Sequence, residues 1–128
     1  MEKNTNEIII TGVTKVRDVQ KEFEQFYPFL KIEFSKAEKG NSSKSHTFKP
    51  ENSIIEITEL PASVKLNVDE ERTISEVEKD CHELLGLSIE VFRKSGNVWN
   101  AISLTNSWTL QSQNKAGEFI STEMAAAS

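Results

Sequence analysis

The chain holds one cysteine, Cys81, in 128 residues. No disulfide can form within it, and a reduced, cytosolic setting is expected. It has no apolar run long enough to span a bilayer, and MEKNTNEIII lacks the apolar stretch of a signal peptide. There is no surplus of basic charge. The formal net charge is −5, which disfavours a general nucleic-acid binder, because such proteins need a basic field. The two histidines and one cysteine are too few to define a zinc site. No Gly-rich phosphate loop, GxSxG, HExxH or CxxC pattern occurs. No catalytic residue, cofactor or metal is expected.

What is present is an internal near-repeat. Residues 14–34 and 72–92 share one apolar skeleton. Val16, Val19, Phe23, Phe26, Ile32 and Phe34 align with Ile74, Val77, Cys81, Leu84, Ile89 and Val91. Three- and four-residue steps followed by alternation mean a helix running into a strand, twice. Residues 7–13 read as a strand before the first helix, with Thr14 as its cap, and 30–36 as the strand after it. Residues 37–53 show no sustained apolar period and read as a loop. Residues 54–60 read as an edge strand or short arm, and 64–68 as the strand opening the second unit. Thr73 and Glu76 form a capping box, and Gly86 stands where a left-handed C-cap residue is wanted. A hairpin follows, turning at Ser95-Gly96-Asn97. A short last helix is expected over about 108–116, ended by Gly117, with 120–128 frayed.

The expected fold is α+β: a tandem β-α-β pseudo-repeat, its sheet carrying helices on one face in a ferredoxin-like way. A β-grasp second half is the rival. Residues 1–119 are expected to form one domain, with units at about 7–36 and 64–104. The strings FRKSGNVW and Trp108-Thr109-Leu110, with FYPFLKIEF upstream, resemble a family of small uncharacterised bacterial α+β proteins. That resemblance implies a bacterial cytosolic protein and no particular activity. The chain departs from it at Cys81, where an aromatic residue is common, and at Asn106-Ser107, where acidic residues are common.

The residues that could carry chemistry have simpler readings. Cys81 and His82 are adjacent on a helix and point about 100° apart, so they cannot pair. Cys81 takes the place of Phe23, a core position. His46 lies in the loop with no second ligand at a metal spacing. Glu76, Asp80 and Glu83 form a stripe that a solvated helix face explains. Residues 31–49 carry five lysines against Glu33 and Glu38, net +3, with Phe48 their one aromatic residue apart from Phe34. A solubilising loop or a docking segment fits better than nucleic-acid binding, which needs stacking platforms. The best candidate surface is the hairpin tip, with Arg93, Lys94, Asn97 and Trp99 as interaction residues. A small module binding an unidentified protein partner is the leading expectation. A ligand-binding domain or enzyme with a pocket between sheet and helices, and a nucleic-acid-associated protein, are the alternatives.

Overall fold

The computed structural model describes residues 6–36, 48–58 and 63–127. The first unit contains β1 (Glu7–Ile10), α1 (Val16–Phe26), β2 (Leu30–Lys36) and α2 (Ile54–Ile57). The second contains β3 (Val64–Asn67), α3 (Ile74–Leu85), β4 (Leu87–Ser95), β5 (Val98–Ala101) and α4 (Leu110–Ala127). A 3₁₀ turn, Ser103–Thr105, precedes α4.

Apart from the β4–β5 hairpin, strands pair across the units rather than within them. β1 lies antiparallel to β3, and β2 lies antiparallel to β4, with β5 on the far side of β4. The fold is α+β, and the described strands divide between two small antiparallel sheets, so a single ferredoxin-like sheet is not seen among the described residues. β3 and β4, which a β-grasp second half would hold in one sheet, lie in different ones. Periodicity tells which face of a strand is buried, not which strand lies beside it. The register shows what decides the pairing. Ile8 pairs with Leu66, and Glu33 pairs with Glu90. Each is a pair of matching positions in the two units, as a pseudo-twofold axis between them requires.

The apolar skeleton of the repeat is the core. Val16, Val19, Phe23, Ile32 and Phe34 are buried, and so are Ile74, Val77, Cys81, Ile89 and Val91. One pair of expected core positions moves. Phe26 and Leu84 are exposed, while Tyr27 and Leu85 are buried. At 100° per residue, eleven steps from Val16 or Ile74 return to the starting face, and ten do not. The Tyr27 hydroxyl donates to the Val68 carbonyl at 2.5 Å, tying the end of α1 to the second unit. Burial pushes its pKa up to about 12.

The repeat also runs further than its sequence signal. Val16 N–H donates to Asn52 O, and Arg17 N–H to Pro50 O. In the second unit Ile74 N–H donates to Trp108 O, and Ser75 N–H to Asn106 O. The bridges Lys15–Ser53 and Thr73–Thr109 match in the same way. Thus α2 and the start of α4 are counterparts. The expected strand or arm at 54–60 is instead the helix Ile54–Ile57, its start held by Ser53 N–H donating to the Glu56 carboxylate at 2.8 Å. Residues 48–53, expected as loop, form the ordered turn before it, where Asn52 N–H donates to Lys49 O. The rest of that loop, 37–47, lies outside the described residues.

At the helix starts, Thr73 and Glu76 form the expected box, at 3.1 Å and 2.8 Å. Thr14 does not cap α1. The cap position is Lys15, whose N–H donates to Asp18, while the Thr14 hydroxyl accepts from Thr11 N–H. Gly86 closes α3 at φ +68° as expected. The last helix does not stop at Gly117 or fray at 120; it continues to Ala127. At Gly117 α4 runs close against Phe29 and Arg93. A Cβ there would lie 2.8 Å from Phe29 Cβ and 3.1 Å from Arg93 Cγ.

Candidate functional site

The hairpin forms where expected. β4 ends at Ser95, β5 begins at Val98, and Gly96 takes φ +68° at the first turn position. Gly96 N–H donates to the Ser121 hydroxyl, so the turn is held down by α4. Alternation then separates the four candidate residues. Val91 and Arg93 point to the helix-covered side of the sheet, and Phe92 and Lys94 to the other.

Arg93 is therefore not a free charge at the tip. Its Nη1 donates to Gln113 Oε1 at 3.0 Å, and its guanidinium lies over the Trp108 ring at 5.9 Å. Gln113 is fully buried. Its Nε2 donates to both the carbonyl and the hydroxyl of Thr105, each at 2.7 Å. Arg93 Nε is buried and has no hydrogen-bond partner among the described residues. This group locks α4 and the 3₁₀ turn onto the end of β4. The signal for Gln113 lay in its spacing with Leu110 and Gly117, which is legible only once the helix is known to run through the glycine.

Lys94 and Trp99 are direct cross-strand partners on the uncovered side. Phe92 shares that face, opposite Lys31 on β2. Phe92 and Trp99 are not direct cross-strand partners; Phe92 faces Ala101, and the two rings stand diagonally. The Lys31 ammonium lies 5.7 Å from the Phe92 ring and 5.6 Å from the Trp99 ring. An ammonium so placed is attracted to both ring faces. It also pairs with Glu33 at 3.6 Å. Lys94 makes no ion pair with a described residue. Asn97 is exposed at the turn. Phe92, Lys94 and Trp99 are each half-buried on this face. Beyond the aromatic end, Glu33 and Glu90 face each other directly.

A polar cleft of about 710 Å³ runs between the outer side of α1 and β2. Arg17, Lys21 and Lys31 line it, and so do Asp18, Glu24 and Glu33. The charges balance, so it offers no field for one sign of ligand.

The other candidates are absorbed by the fold. Cys81 is fully buried, and burial, then Asp80 and Glu78, push its thiol up to about 12. Of the acidic stripe, Glu76 is tied to the Thr73 cap, whose N–H holds its carboxyl below the usual range. Asp80 accepts from Arg72 at 2.5 Å. Glu78, raised by burial, accepts from Asn106 Nδ2 at 3.4 Å. An acidic residue at 106 would meet that carboxylate. Phe48 packs against the core, so it is not available for base stacking. His46, Lys39 and Lys44 lie outside the described residues. Among those described, no three metal-ligating side chains gather, and no helix is long and apolar enough to cross a membrane. No family model, curated protein or solved structure matches the chain.

Proposed function

We propose that this protein is a small, non-catalytic binding module that docks another protein on the uncovered face of the β2-β4-β5 sheet. The supporting observation is the cluster of Phe92 and Trp99 around the Lys31 ammonium, with Lys94 beside it. Aromatic side chains dominate interface energetics. These stand on paired strands, so little ordering is left for binding to supply. The surface is an open sheet face, which suits a protein better than a small molecule, since ligand sites are concave. A fitting partner brings apolar side chains to the rings and a carboxylate to Lys94. The bacterial cytosolic setting implied by the FRKSGNVW resemblance belongs to the same reading.

Bait proteins separate this face from the cleft. Lys94→Glu combined with Trp99→Ser changes the face, and Lys21→Glu changes the cleft. A protein retained by the wild type and by Lys21→Glu, and reduced about tenfold on the face variant, is the expected result. Both variants are first shown to melt as the wild type does. Equal retention on all three baits would refute the assignment.

A further inference from the structure

The two edges of the larger sheet are treated differently. On β2, the Gln20 side chain donates to Ile32 O at 2.8 Å, and Phe48 N–H donates to Phe34 O at 2.9 Å. That edge is occupied. β5 is the opposite edge, and no described residue pairs with its outer side. Edge strands usually carry a charge, a proline or a bulge that blocks further pairing. Asn97-Val98-Trp99-Asn100-Ala101-Ile102 carries none of these, and only the shortness of β5, four residues, limits pairing there.

The polarity of this edge is fixed by the hairpin. A two-residue turn makes Ser95 and Val98 a hydrogen-bonded pair. Lys94 and Trp99 are then a non-hydrogen-bonded pair, in agreement with Lys94 N–H donating to Phe29 O on the other side of β4. Trp99 and Ala101 therefore present their N–H and C=O groups at the open edge.

We infer that the β5 edge pairs with the β5 edge of a second copy of this chain, antiparallel about a twofold axis at Asn100. Trp99 of each copy then bonds Ala101 of the other, giving about four main-chain hydrogen bonds. A large ring falls beside a methyl group, so the two indoles do not collide. Asn100 meets its own counterpart at the axis, and two carboxamides can donate and accept reciprocally. No like charges meet across the axis. Two three-stranded sheets become one of six strands. The contact is short, so the association is a concentration-dependent equilibrium rather than an obligate dimer.

Edge pairing is separate from partner docking on the face, and the test keeps them apart. Ala101→Pro removes an N–H that points away from β4, a position where an edge strand tolerates proline. It leaves Lys31, Phe92, Lys94 and Trp99 unchanged. Sedimentation equilibrium in about 0.15 M salt, from about 10 μM to 1 mM, should show the average mass rising toward twice that of the monomer. Ala101→Pro should remain monomeric throughout. Asn100→Lys, which sets two ammonium groups together at the axis, should do the same should the proline variant fail to fold. A wild type that stays monomeric up to 1 mM overturns the inference, whether or not a foreign strand binds there. So does a dimer that persists in the variants.

Discussion

Arg93 shows how far the role of one side chain depends on which face of a strand it occupies. Read as part of a tip, it is an interaction residue beside Lys94. In the structure it reaches under α4 to Gln113. Arg93→Ala leaves the buried Gln113 oxygen without its donor, and an unsatisfied buried polar group costs about 1–3 kcal/mol. Lys94→Ala removes a side chain with no ion-pair partner among the described residues, and surface changes of that kind stay within about 0.5 kcal/mol. Urea denaturation should therefore show a lower midpoint for Arg93→Ala and an unchanged one for Lys94→Ala. Equal midpoints would mean that the Arg93–Gln113 contact contributes nothing. Cys81 was legible for the opposite reason: its place is set by the repeat, and the repeat is apolar at that position in both units.

Helices α1 and α3 could be read from their sequences because each has its own apolar stripe and stop signal. β2 and the hairpin could be read because alternation and turn residues are local. α2 and the length of α4 could not. α2 is a single turn whose start is held by a backbone hydrogen bond to a residue distant in sequence, Ile54 N–H to Thr14 O. α4 runs through Gly117, which sequence alone reads as a terminator. Its glycine is there for space, and the consequence can be measured. Alanine is favoured in a helix interior by about 1 kcal/mol. Against that, the new methyl would stand 2.8 Å from Phe29 Cβ and 3.2 Å from Phe29 O, neither of which is the free end of a flexible side chain. Overpacking costs about 1–3 kcal/mol, so the clash outweighs the propensity. Gly117→Ala should lower the melting temperature. A rise would show that α4 packs less closely than this.

The whole molecule is two β-α-β-…-α units related by a pseudo-twofold axis, with the second unit carrying an added strand, β5. Strand pairing was the least legible feature, because two of the three antiparallel ladders join residues of different units. The candidate face follows from that pairing. Lys31 belongs to the first unit, and Phe92, Lys94 and Trp99 to the second, so no local motif contains the site. Of the residues proposed from sequence, Lys94 and Trp99 share this face, Arg93 lies on the other, and Lys31 joins them only through the pairing of β2 with β4. The most direct test of this account uses isotope-labelled protein and a partner recovered by the wild-type bait. Its amide spectrum should change on titration at Lys31, Phe92 and Lys94, and at the Trp99 indole N–H, while Arg17, Lys21 and Glu24 stay unmoved. Changes confined to Arg17, Lys21 and Glu24, with the Trp99 indole unaffected, would contradict it.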